Sequence, residues 1–184
     1  MNYFTPFPKI RTENLILRQI TIEDLDELFI LKSDERLLKC YSSKARTYEE
    51  TRRKLEELND DIVNNKSITW GISLINENKL CGSICLWNIC EEQSKVEIGY
   101  ELMVNWQGRG IMQEAMKAVV EYGFKDMKLQ LIEAVTHPDN FKSINLLEST
   151  RFIRGANFCE TDASKKKILD WVTYSLWSRK FNIL

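Results

Sequence analysis

Apolar and polar positions along the chain change period several times, and each change marks an element. Residues 15–20 (LILRQI) form a short run rich in branched apolar side chains, which predicts a strand. Thr21-Ile22-Glu23-Asp24 has the form of a helix amino-terminal cap, and the helix behind it carries Leu25, Leu28 and Phe29. Thr47-Tyr48-Glu49-Glu50 is a capping box. Leu55, Leu58 and Ile62 then recur at helical spacing amid dense charge, which predicts a surface-lying helix. From Ser67 the period becomes extended: residues 68–75 and 79–87, joined by polar Asn76-Glu77-Asn78, predict an antiparallel hairpin. Residues 95–103 alternate with period two as a third strand, with Val96, Ile98, Tyr100 and Leu102 on one face and Glu97, Gly99 and Glu101 on the other.

After this strand come Gly108 and Gly110, and then a stripe of Met112, Ala115, Met116, Val119, Val120 and Gly123 at three- and four-residue intervals. That helix is expected to end near residues 125–128, where its lysines suit a carboxyl terminus. Residues 131–136 predict a strand, His137-Pro138-Asp139 a loop, and Asn140 the cap of a helix with Ile144, Leu146 and Leu147. Residues 152–158 and 168–177 predict a closing hairpin around the 162–167 loop. The order β, α, α, three β, α, β, α, two β predicts an α/β protein with a mixed sheet and helices on its faces. A strand running through a glycine turn into a helix leaves backbone N–H groups unpaired at the positive end of the helix dipole, a setting for phosphate. A Rossmann fingerprint would need a third glycine where Gln113 stands, and a Walker loop would need Gly-Lys-Ser/Thr.

Composition narrows the class. With 184 residues, 43% of them hydrophobic, and no Pro/Gly/Ser-rich linker, residues 1–184 are expected to form a single domain. The 26 basic and 27 acidic side chains nearly cancel, so neither nucleic acid nor a membrane surface is an expected partner. The five cysteines include no Cys-x-x-Cys pair and stand beside a single histidine, so reduced thiols, a cytoplasmic location and no metal are expected. No apolar run approaches the ~20 residues that span a bilayer.

Glu-Ile-Gly-Tyr on the third strand, Gly108-Arg109-Gly110 at the turn, Glu114-Ala115 in the helix and Asn140-Phe141-Lys142-Ser143 beyond the next strand together resemble the Gcn5-related N-acetyltransferases (GNAT). Within that superfamily the resemblance is to the ribosomal-protein N-acetyltransferases of the RimJ/RimL type, and it covers nearly the whole chain. It implies two central parallel strands that splay apart, with acetyl-CoA as cosubstrate in the gap. The pantetheine would lie along Leu102, Met103 and Val104, and the pyrophosphate on the turn formed by Gln107, Gly108, Arg109, Gly110, Ile111, Met112 and Gln113. Asn140 and Ser143 would lie near the pantetheine and sulfur. Three positions depart from the pattern: Asn105 replaces the usual Gln or Arg, Arg151 a usual Gly, and Leu147 the tyrosine that often serves as proton donor.

Acetyl transfer to an amine needs a neutral nucleophile, a stabilised carbonyl oxygen and a departing thiolate. A peptide α-amine titrates near ~7.7–8.0 and a lysine near ~10.4, so modest base catalysis suffices for a protein amino terminus. Glu97, acting through a water, is the expected base, with Glu101 as the second candidate, and Ser143 the proton donor to sulfur. A backbone N–H near Leu102 would serve the carbonyl oxygen. Trp87, Tyr100 and Glu101 would line the acceptor site. The acceptor is expected to be a protein amino terminus or a small amine, and a homodimer through the closing strands is plausible. The competing reading is a non-catalytic acyl-CoA sensing module.

Overall fold

A computed structural model describes residues 4–41, 45–162 and 167–181. Strands β1 (Ile10–Arg11) and β2 (Leu15–Gln19) are followed by a 3-10 turn (Ile22–Asp24) and three helices, α1 (Leu25–Ser33), α2 (Glu35–Tyr41) and α3 (Tyr48–Val63). The meander β3 (Ile68–Leu74), β4 (Leu80–Cys90) and β5 (Lys95–Leu102) leads into α4 (Ile111–Lys125). Then come β6 (Leu131–Thr136), α5 (Phe141–Ser149), β7 (Ile153–Asp162), β8 (Lys167–Trp177) and the short α6 (Ser178–Phe181). The eight strands form one sheet in the order β1-β2-β3-β4-β5-β6-β8-β7. Only β5 and β6 run parallel.

Local chemistry sets the boundaries. Thr47 and Glu50 exchange both capping-box bonds, at 3.2 and 2.7 Å, and start α3 as the sequence predicts. The cap at Thr21 opens a 3-10 turn instead, because Asp24 is shared: it accepts from the Thr21 N–H at 2.8 Å and takes both Arg18 guanidinium nitrogens at 2.7 Å. One element has no periodic signature. Asp34 is extended and accepts from the Arg36 N–H at 2.9 Å, so it ends α1 and caps α2, a helix that apolar spacing alone does not announce.

Val96, Ile98 and Leu102 of β5 pack with Ala115, Met116 and Val119 of α4 in one continuous core. The opposite face of β5, bearing Glu97, Gly99 and Glu101, is left for polar contacts. Strands β5 and β6 are paired only at Lys95 with Leu131, Val96 with Ile132 and Glu97 with Glu133. Beyond Glu97, β5 continues to Leu102 with no strand partner on that side, while β6 stays with β8 as far as Thr136. This is the expected splay, and it opens a gap in the middle of the sheet. Residues 163–166, which include Lys165 and Lys166, and residues 42–44 lie outside the described residues.

Candidate active site

The glycine turn forms one wall of a cleft of about 860 Å³. Gly108 and Gly110 both have φ +77°, a backbone region costly to other L-residues, and a Cβ at either would meet nothing within 4 Å. Glycine is therefore required here for conformation, and the space beside it is open to a ligand. The first bond of α4 runs from the Glu114 N–H to the Gly110 carbonyl at 3.0 Å. The N–H groups of Ile111, Met112 and Gln113 precede it and carry the positive end of a 15-residue helix dipole. These three residues line the cleft together with Gly108 and Gly110. Arg109 does not; its guanidinium lies 5.0 Å from the centre of the Trp106 ring, outside the lining.

Leu102, Val104 and Gln107 continue this cleft toward the splay. Met103 faces away, its N–H bonded to the Cys81 carbonyl at 2.9 Å. The Gln107 amide donates to the Leu102 carbonyl at 3.0 Å and accepts from Lys142 at 2.8 Å, so a side-chain bridge joins the turn to α5. Lys142 is a lining residue that the sequence offered only as the variable position between Asn140 and Ser143.

Asn140 accepts from the Ser143 N–H at 3.2 Å and caps α5, which orients the Ser143 side chain across the gap. There the Ser143 and Tyr100 hydroxyls are 2.7 Å apart. Burial pushes the Tyr100 phenol up to about 12, with the Ser143 bond pulling the other way. Tyr100 therefore remains a proton-bearing group throughout the neutral range. Leu147, at the position where the family often has a tyrosine, is fully buried in the core.

A second cleft, of about 420 Å³, meets the first at Leu37, Tyr100 and Glu101. Helices α1 and α3 and the polar face of the sheet enclose it. Glu101 takes a hydrogen bond from the Ser83 hydroxyl at 2.9 Å and pairs with the Lys32 ammonium. Trp87, 48% exposed, stands at the rim. Cys85 sits against Gly99, and burial raises its thiol to about 11, which leaves it a poor nucleophile at neutral pH.

Glu97 lines neither cleft. It shares a strand face with Glu101 but is the last residue of β5 paired to β6, and it accepts from the Asn88 amide at 2.6 Å. Glu114 is taken up by structure: its carboxylate accepts from the Asn14 N–H and side-chain amide at 2.9 and 3.1 Å, fastening α4 to the start of β2. The ring of His137 packs edge-on near Trp171 and accepts from the Asp139 N–H at 3.2 Å. Among the described residues no helix is long and apolar enough to cross a membrane.

The comparisons agree with this architecture. Residues 14–153 match the model of the acetyltransferase (GNAT) domain. The chain is 29% identical over 171 residues to N-acetyltransferase p20 of Bacillus licheniformis, covering 92% of this chain and 96% of that one. The crystal structure of a GNAT-family acetyltransferase from Bacillus anthracis superposes with a TM-score of 0.83 at 26% identity, covering 94% of this chain and 99% of that one. RimL, the ribosomal L7/L12 α-N-protein acetyltransferase, solved in complex with coenzyme A, shares the fold with a TM-score of 0.79 at 19% identity, covering 92% and 98%. With a splayed β5–β6 pair, a left-handed glycine turn opening α4 and a family match over most of its length, the chain belongs to the GNAT family and is an acetyl-CoA-dependent N-acetyltransferase.

Proposed function

We propose that this enzyme acetylates the α-amine of a peptide or protein amino terminus by direct transfer in a ternary complex. The observation that carries the reading is the 2.7 Å hydroxyl pair of Tyr100 and Ser143, which spans the splay where the two clefts meet. Acetyl-CoA supplies the activated acyl group. Its pyrophosphate is held by the amides from Gly108 to Gln113, with Gln107, Leu102 and Val104 beside the pantetheine. The open space at both glycines and the unpaired edge of β5 fit such an elongated anionic molecule.

The acceptor enters through the second cleft, its amine beside Glu101 at the shared wall. Glu101 takes the base role in preference to Glu97, because Glu97 lines neither cleft and its carboxylate is engaged by Asn88. The amine loses its proton to Glu101 directly or through a water, and its lone pair attacks the acyl carbon. As the C–S bond breaks, Ser143 donates its proton to the sulfur, and the second proton that the nitrogen sheds as the amide forms passes through the Tyr100 hydroxyl to reprotonate Ser143. An α-amine, near ~7.7–8.0 when free, demands less of such a base than a lysine does. The similarity to RimL, named for an α-N-protein substrate, favours the same acceptor class here.

The test is a thiol-release assay with peptides beginning in Ser, Ala and Met beside small amines, paired with calorimetry of coenzyme A binding. Turnover on peptides with none on the corresponding amino-terminally blocked peptides is expected. Coenzyme A binding without thiol release on any amine would instead support the sensing module.

A further inference from the structure

The charge pattern of the second cleft bears on which amines it takes. Five charged residues line it: Lys32, Arg46 and Lys54 against Asp61 and Glu101. Glu101 pairs with Lys32 and accepts a hydrogen bond from Ser83. Asp61 accepts from the Ser67 hydroxyl at 3.4 Å. Lys54 reaches Glu57 at 3.0 Å, but that carboxylate is on the exposed side of α3 and does not line the cleft. Among the described residues the Arg46 guanidinium has no ion-pair partner. Leu28, Leu31, Leu37, Leu38, Leu58 and Trp87 make much of the remaining wall apolar, beside the hydroxyls of Ser67, Thr69, Ser83 and Tyr100, and that apolar share strengthens the charges.

We infer that the second cleft selects amines followed by an anionic group, with the amine at Glu101 and the anion at Arg46 and Lys54. This rests on the acetyl-transfer reading above and assigns its acceptor class. A polycationic amine meets three cations and only two carboxylates, of which Glu101 is already shared with Lys32. An α-amine with a carboxylate one or two residues on would place its negative charge where the cleft is positive. The cleft's outer charges, in the terms of substrate discrimination, repel one class and attract the other. Two sources share this chemistry: a peptide with an acidic residue near its amino terminus, and a free acidic amino acid.

The experiment measures kcat/KM for three peptides that differ only at positions two and three, Ser-Asp-Glu, Ser-Ala-Ala and Ser-Lys-Lys, with free glutamate and spermidine as further acceptors. At low salt the acidic peptide is expected to exceed the neutral one by about fivefold, the scale of one partly exposed ion pair, and the lysine peptide to fall below it. The double variant Arg46→Glu/Lys54→Glu is expected to invert that order, the lysine peptide then exceeding the acidic one. Glutamate outpacing every peptide would assign the same anion site to a small molecule. Equal rates on the three peptides, or spermidine as the best acceptor, would overturn the inference and leave acetyl transfer standing. No thiol release with any amine, while coenzyme A still binds, would overturn both.

Discussion

The two clefts are adjoining regions built in different ways. The larger one is made mostly of main chain: two left-handed glycines, the first turn of α4, and the edge of β5 left bare by the splay. The smaller one is made of side chains from α1, α2, α3 and three strands, and its charges come from residues far apart in sequence, Lys32, Arg46, Lys54, Asp61 and Glu101. Backbone geometry tolerates the loss of a side chain, and so the turn persists with Asn105 where Gln or Arg is usual. A cleft made of side chains changes with every substitution. That division suits an enzyme that keeps one cosubstrate and varies the other.

The largest test of this contrast is at the root of α1, which walls only the second cleft. Asp24→Asn breaks the nearly buried pair with Arg18 and is expected to cost about 3 kcal/mol in urea unfolding. The pH dependence follows. Burial pushes the Asp24 carboxyl up, but the Arg18 guanidinium and Thr21 pull it further down, to a net value below its ordinary one. A depressed carboxylate contributes stability that is fully present above its unfolded value near ~4 and lost as pH falls through its folded value. The wild type should therefore lose more stability than the variant below about pH 4. At sublethal destabilisation, KM for the amine should rise more than that for acetyl-CoA; equal rises would break the contrast.

Next in size is the junction. Ser143→Ala is expected to lower kcat about 100-fold with coenzyme A affinity retained in calorimetry, since the hydroxyl acts on the leaving sulfur rather than on the bound nucleotide. Retained kcat would remove Ser143 from proton transfer. Gly110→Ala probes the main-chain cleft. Holding alanine at φ +77° costs about 1–2 kcal/mol, so coenzyme A binding should weaken about tenfold while the acceptor KM stays level. Arg109→Ala, which leaves every amide in place, should be milder. The smallest effect is expected of Glu97→Gln, within about twofold in kcat/KM, because its partner is Asn88 and not a cleft. A large fall there, with Glu101→Gln near wild type, would reverse the two carboxylates.

Sequence reasoning did well wherever a local rule decides. The capping box at Thr47, the meander, the α4 stripe and the Asn140 cap are each fixed by neighbours within a few residues. It failed at α2, where the helix begins because Asp34 caps it and not because apolar residues recur. Glu97 and Glu101 share one strand face, and alternation cannot say which of them lies past the end of the β5–β6 pairing and lines a cleft. Tyr100 offered a similar difficulty, since a strand aromatic on the apolar face is usually core, and only the splay turns its hydroxyl toward Ser143.

By itself, then, the sequence determined the class of fold and the glycine turn, because those depend on backbone conformations that few residues permit. Only the tertiary structure decided where the parallel pair parts, which carboxylate stands at the opening, and that Lys32, Arg46 and Lys54 share one cleft with Glu101. The reason is range. A left-handed turn is enforced by the atoms of two glycines, whereas a charge pattern assembled from two helices, the segment between α2 and α3 and a sheet exists only once the chain has folded around it.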